Sequence, residues 1–193
     1  NSVRSQSDTP CLKEKNITFG SFNNFNKIND RVIYVWSQIL LKVKNSKLIL
    51  KSSLKIDKSF LKKEFKKYGV IDSIIFLEKR KLESHYNLYK KIDIALDTFP
   101  YNGVTTTFEA LSMGVPVITM KGYNFNSRCG ESIIKNLGIE NLIANNEEDY
   151  ILKAKNIADD QEELSKMRKK IFSTSYETPL FDTKKFSQDF FSI

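Results

Sequence analysis

Residues 97–109 read Asp-Thr-Phe-Pro-Tyr-Asn-Gly-Val-Thr-Thr-Thr-Phe-Glu. This stretch leaves an apolar run, turns through Pro100 and Gly103, and enters a helical pattern at three threonines. A helix N-terminus presents unpartnered backbone N–H groups and the positive end of a dipole, and both suit a phosphate. Gly103 lets backbone and ligand approach closely because it has no side chain. Thr105, Thr106 and Thr107 can cap the helix or bind phosphate oxygens, and we count Asn102 and Gly103 with them. Glu109 lies one turn beyond Thr105, within reach of a ribose diol. The same residues also describe an ordinary capped helix with no ligand.

Residues 20–27, Gly-Ser-Phe-Asn-Asn-Phe-Asn-Lys, follow the first strand candidate. Asn24 and Lys27 can contact an anionic group there, and a surface turn with an exposed lysine fits equally well. Lys51 ends the second strand candidate on the same side, where lysines also serve solubility. His85 falls near the start of a helix and can face a cleft, although lone histidines also occur on surfaces and in cores. As the sole histidine, it excludes a metal site built from several histidines of this chain. Cys11 and Cys129 are far apart and suggest neither a metal nor a disulfide pattern, so two free thiols in a reducing, cytoplasmic compartment are expected.

The elements that must position these residues alternate along the chain. Strand candidates are residues 17–22, 47–50, 74–77, 92–96 and 115–119. Between them, Asn29 or Asp30 can cap a helix carrying Ile33, Trp36, Leu40 and Val43, and Asp57 can cap a helix running to Tyr68. Further helices are expected around residues 83–89, over 105–113 with a stop at Gly114, and over 127–137 with Gly138 as C-cap. Helical patterns dominate from Glu147 onward, interrupted near Pro179. Short apolar strands alternating with amphipathic helices predict an α/β fold with a doubly wound, Rossmann-like parallel sheet. Ligands of such sheets bind beyond the strands' carboxyl ends, here the loops after Phe22, Leu50, Leu77, Leu96 and Thr119. Residues 1–15 read as a linker or severed connection, and residues 16–193 as one domain.

With 40% hydrophobic residues among 193, the chain can build a sizeable core. The net charge of +8 raises nucleic acid as a partner, but the lysines are scattered and form no arginine-rich stripe with interleaved aromatics. A solvated basic surface is the better reading. No apolar run approaches the roughly 18–20 residues of a membrane span, and no leader pattern opens the chain. It begins at Asn1 rather than methionine, so a piece of a longer protein is expected.

Taken together, residues 19–27, 93–103 and 105–117, followed by Phe125-Asn-Ser-Arg128, resemble the O-linked N-acetylglucosamine transferase family in order and spacing. The resemblance runs from about residue 17 to residue 190. It implies the C-terminal, donor-binding domain of a two-domain GT-B glycosyltransferase. That enzyme would be inverting, would need no metal or other cofactor, and would take N-acetylglucosamine or another hexose from a UDP-sugar to a protein side chain. An N-terminal catalytic half, and tetratricopeptide repeats, would complete the longer protein. By the same resemblance, Lys27 is the lysine that stabilises the leaving diphosphate, and Asn24, Thr105 and Thr106 contact phosphate. Glu109 engages the ribose, His85 lies in the cleft, and the backbone near Arg80 reads uracil. Lys51, Asn102, Gly103, Thr107 and Arg128 join this donor-binding set. Val104 and Leu88 depart from residue types that relatives carry at these positions. The fragment alone is expected to bind UDP weakly without turnover. Rival readings are a nucleotide-sugar epimerase or hydrolase on the same fold, and a noncatalytic basic binding module.

Overall fold

Strands that are apolar on both faces can bury themselves only in a sheet covered by helices on either side. The computed structural model, which describes residues 8–51, 58–77 and 82–192, shows such a sheet. Its strands are β1 (Thr18–Ser21), β2 (Lys47–Lys51), β3 (Ile74–Leu77), β4 (Ile94–Leu96), β5 (Val117–Met120) and β6 (Ile143–Ala144). They lie in the order β3-β2-β1-β4-β5-β6, each neighbouring pair parallel. The chain reverses its winding between β1 and β4, so a crevice opens outside the carboxyl ends of these two strands. The doubly wound α/β expectation is met. Strand β6 was not anticipated, because two residues carry no detectable periodicity.

The helices are α1 (Pro10–Glu14), α2 (Asp30–Lys42), α3 (Ser59–Lys67), α4 (Leu82–Tyr89), α5 (Thr105–Ser112), α6 (Phe125–Asn136), α7 (Glu147–Asp159), α8 (Gln161–Thr174) and α9 (Thr183–Phe191). On α2 the expected apolar stripe of Ile33, Trp36 and Leu40 is buried, as is Val43 at its end. Its cap, Asn29, accepts from Val32 N at 3.0 Å and donates to Phe99 O at 2.7 Å. The cap therefore also ties α2 to the turn that leaves β4. Helix α6 begins two residues before its expected start, where Asn124 and Ser127 form a reciprocal capping box. Gly114 and Gly138 adopt positive φ at the ends of α5 and α6, as a helix C-terminus favours. The proposed cap Asp57 lies outside the described residues.

The described part of the segment expected to be a connection is packed onto the domain. Helix α1 buries Cys11, whose N–H donates to Asp93 Oδ1 at 2.8 Å, while Thr18 N–H donates to Asp93 Oδ2 at 2.8 Å. Arg168 of α8 donates through one guanidinium nitrogen to the carbonyls of Ile92 and Asp93, each at 2.9 Å. Burial pushes the Asp93 carboxyl up against the pull of these partners. One buried aspartate thus joins the first helix, β1, the approach to β4 and α8, and the packed unit begins before residue 16. Asp93→Ala leaves one buried and one part-buried N–H group unpartnered and is expected to lower stability by about 2–4 kcal/mol, read by urea unfolding.

Candidate functional site

The crevice at the β1/β4 switch is organised around Asp97, which directly follows β4 and is almost wholly buried. Its Oδ1 accepts from Gly103 N at 2.7 Å, Thr98 N at 2.9 Å and Asn23 Nδ2 at 3.4 Å. Its Oδ2 accepts from Thr119 Oγ1 at 2.8 Å. Burial pushes this carboxyl up to about 6, although the bonds from Gly103, Thr119 and Thr98 and the charge of Lys27 pull it down. The loop after β4 therefore folds back on its own first residue. Little room is left around it. A Cβ on Gly103 would lie 2.5 Å from Thr106 Oγ1 and 2.8 Å from Asn23 Oδ1, and one on Gly130 would collide with Thr119 Oγ1.

Beyond Gly103 the chain enters α5. Asn29, Asn124, Asn146, Asp160 and Asp182 cap α2, α6, α7, α8 and α9 with their own side chains. Helix α5 begins after Val104, which offers no side-chain cap. Thr105 is exposed at the helix start. Thr106 Oγ1 donates to Asn23 Oδ1 at 2.9 Å, linking α5 to the loop after β1. Thr107 is buried, and its hydroxyl donates to Gly103 O at 3.0 Å. Of the three threonines, Thr105 is the most open to a ligand.

Lys27 approaches the same turn from the β1 side. Asn24 caps a 3-10 turn (Phe25–Lys27), accepting from Asn26 N at 3.1 Å. Lys27 Nζ then donates to Asn102 O at 2.9 Å and lies 4.1 Å from the centre of the Tyr101 ring. Half-buried, the ammonium is held below its usual range by desolvation, with Asp97 acting in the opposite sense. An ammonium bonded to the turn that enters a helix without a side-chain cap is an arrangement that favours an anion.

On the other flank, Lys51 Nζ lies 2.8 Å from His85 Nδ1, and His85 Nε2 lies 2.9 Å from Glu109 Oε2. Tyr89 donates to the same Oε2 at 2.9 Å. Burial raises the Glu109 carboxyl, but its bonds to His85 and Tyr89 and the charge of Lys51 prevail and hold it below the usual range. Burial, then Glu109, keeps the Tyr89 phenol well above its usual range.

Asn24, Lys27, Lys51, Asn102, Gly103, Thr105, Thr106, Thr107 and Glu109 thus lie at or beyond the carboxyl ends of β1, β2 and β4, and His85 of α4 meets Lys51 and Glu109. Within this set, Asn102 supports the turn. Its Nδ2 donates to Thr98 O at 3.0 Å and Met120 O at 3.4 Å, and its Oδ1 accepts from Gly130 N at 3.2 Å. Arg128 stands apart on α6, paired with Glu131 at 3.0 Å, in a groove of about 520 Å³ that it shares with Val104. Leu88 is buried. Arg80 lies outside the described residues. Asn23, Asp97 and Tyr89 were missed as site residues, and only the place of Asp97 at the end of an apolar run hinted at its role.

The profile of Glycosyl transferase family 41 matches residues 2–190. The chain belongs to this family. It is 40% identical over 189 residues to a protein of Eustoma exaltatum subsp. russellianum named probable UDP-N-acetylglucosamine–peptide N-acetylglucosaminyltransferase SPINDLY. That alignment covers 95% of this chain and 20% of the plant protein. A Caenorhabditis elegans UDP-N-acetylglucosamine–peptide N-acetylglucosaminyltransferase is 30% identical, with 92% of this chain and 16% of the worm protein covered. Among solved structures, a Thermobaculum terrenum O-GlcNAc transferase mutant superposes with a TM-score of 0.79 at 30% identity, covering 87% of this chain and 32% of that one. The glycosyltransferase WaaG shares the fold at 14% identity, with a TM-score of 0.68, 98% of this chain and 48% of WaaG covered. The family 41 chain therefore has the GT-B type donor-domain fold, and it spans about a fifth of the length of the Eustoma relative.

Two outcomes follow for this family 41 domain. Because the Asp97 carboxyl titrates higher folded than unfolded, its contribution to stability is complete below about 4 and is lost as pH rises through about 6. Asp97→Asn is expected to flatten the pH dependence of urea unfolding in that window. Gly103→Ala, which sets a methyl against Thr106 and Asn23, is expected to cost about 2–3 kcal/mol by thermal unfolding.

Proposed function

We propose that this chain is the donor-binding domain of an inverting, metal-independent glycosyltransferase. It takes N-acetylglucosamine or another hexose from a UDP-sugar to a protein side chain. The observation that carries this reading is the α5 start, which has no side-chain cap and is faced by the half-buried ammonium of Lys27. The diphosphate sits on the first-turn N–H groups with Thr105 beside it, and the ribose diol meets Glu109. As the acceptor hydroxyl attacks the anomeric carbon, the bond from that carbon to the β-phosphate oxygen breaks and negative charge grows on UDP. Lys27 and the helix N-terminus stabilise that charge, the work a metal ion does in other enzymes.

The names of the plant and worm relatives support a peptide acceptor. On this reading an acceptor-binding half with the general base, and tetratricopeptide repeats, complete the longer protein, in keeping with the one fifth of the Eustoma relative that this chain spans. Free Cys11 and Cys129 support a cytoplasmic location, and among the described residues no helix is long and apolar enough to cross a membrane.

Isothermal titration with UDP tests the site. Lys27→Ala is expected to weaken UDP about 10- to 100-fold while changing uridine binding little, since only the charged hydrogen bond to diphosphate is lost. Thr105→Ala should weaken it by a few-fold, about the value of one hydroxyl bond. Equal affinity for GDP would remove the claim for uracil, and absence of UDP binding by both this chain and the full-length protein would overturn the donor site.

A further inference from the structure

The chain of contacts from Lys51 through His85 to Glu109 has a direction set by elementary chemistry. An ammonium has N–H groups to donate and no lone pair to accept with. With Lys51 charged, as in its attraction for the Glu109 carboxylate, the 2.8 Å contact between Lys51 Nζ and His85 Nδ1 makes Nδ1 the acceptor. A ring that accepts at Nδ1 carries its proton on Nε2, and that nitrogen lies 2.9 Å from Glu109 Oε2. Oε2 thus receives two donors, His85 Nε2–H and the Tyr89 hydroxyl at 2.9 Å. Glu109 Oε1 has no hydrogen bond among the described residues. A carboxylate with one oxygen anchored twice and the other open is oriented before any ligand arrives.

The surroundings hold the ring in place. Phe22, Tyr86 and Tyr89 pack round the imidazole at centroid distances of 6.0, 5.8 and 5.4 Å. Lys51 and His85 are both buried, so water competes little for their contact. A buried lysine 2.8 Å from a histidine nitrogen is a costly arrangement unless the nitrogen's lone pair is useful, since two cations or two N–H groups facing each other repel.

We propose that Lys51 is a positioning residue of the donor site. Its ammonium fixes His85 with Nδ1 as acceptor and Nε2–H as donor, and so holds Glu109 with Oε1 presented to a ribose diol. This rests on the donor-site reading above, but its first half concerns the unliganded chain. Lys51 touches no ligand in this scheme; it acts through two other side chains. Replacing it frees Nδ1 to take a proton, the ring's hydrogen-bond roles become mixed, and Glu109 loses its fixed orientation.

His85 is the only histidine of the chain, so its imidazole can be read without assignment ambiguity. Long-range 15N–1H spectra of the unliganded protein should show an unprotonated Nδ1 and a protonated Nε2. Lys51→Met should replace that pattern with an averaged or doubly protonated one, and Lys51→Arg should restore it. A wild-type ring protonated at Nδ1, or a Lys51→Met spectrum identical to wild type, overturns the proposal whether or not UDP binds. In titrations, Lys51→Met should weaken UDP about tenfold yet leave the 2′,3′-dideoxy analogue of UDP unchanged, as expected for one hydrogen bond to a charged group. Equal weakening of both ligands shows that Lys51 does not act on the diol and overturns the second half. If UDP binds no form of the protein, the donor reading fails while the tautomer result still stands or falls separately. Matching far-ultraviolet dichroism and melting curves for the Lys51→Arg variant guard against reading a folding defect as a positioning effect.

Discussion

The carboxylate of Asp97 is the point on which the site turns. It leaves β4 at the switch between the two halves of the sheet and gathers four donors from three places: the turn at Thr98 and Gly103, the β1 loop at Asn23, and β5 at Thr119. A buried carboxyl is costly unless its lone pairs are satisfied, and here the donors that satisfy it belong to the segments that must converge on a ligand. The backbone carbonyl of the same residue accepts at 2.9 Å from the buried Tyr150 hydroxyl of α7, so the anchor also reaches into the core. Gly103 and Gly130 crowd the carboxylate too closely for any side chain of their own. The strand-end loop is thereby tied to its own first residue, to the loop after β1 and to β5.

That anchoring divides the polar residues of the loops by task. Asn102 and Thr107 direct their side chains at backbone carbonyls of the turn and hold its shape. Asn23 bridges Asp97 and Thr106. Thr105 and Lys27 are left facing outward, one exposed and one half-buried. Asn or Asp caps α2, α6, α7, α8 and α9, whereas α1, α3 and α5 have no side-chain cap; of these three, α5 is the one entered from the turn whose Asn102 carbonyl holds Lys27.

The sheet and most helices were legible because their signals are local: apolar runs of four to six residues, amphipathic spacing, and glycines at helix ends. Strand β6 was not, since its pairing with β5 is a tertiary fact that two residues cannot encode. Helix α1 escaped for a related reason. Its place depends on Asp93, more than seventy residues away in sequence, accepting from Cys11. In the site, the residue types of the turn and Lys27 suggested an anion, but family resemblance was needed to group them. The support beneath them was hidden. Asp97 looked like the first residue of a turn, and Asn102 and Thr107 looked like ligand contacts, because sequence does not reveal which way a side chain faces. Likewise, nothing local links Lys51, His85 and Glu109, which meet only once β2, α4 and α5 are packed.

Knowing where Asp97 directs its lone pairs also decides where a phosphate can sit. In a glycine turn at a strand end, the turn's own N–H groups are natural anion ligands. Here the N–H groups of Thr98 and Gly103 both point to Asp97, so they are already occupied. A diphosphate drawn to the turn itself would have to displace a carboxylate buried among four donors, and it would carry its own charge towards that carboxylate. The first-turn N–H groups of α5 face no such competition, because neither a cap nor Asp97 engages them. Lys27 agrees with the proposed choice, since its contact with Asn102 O holds its charge two residues before the N-cap position of α5. The aspartate thus acts by exclusion as well as by support: it occupies the N–H groups of the glycine turn, and under the proposed donor reading this leaves the helix start to the diphosphate.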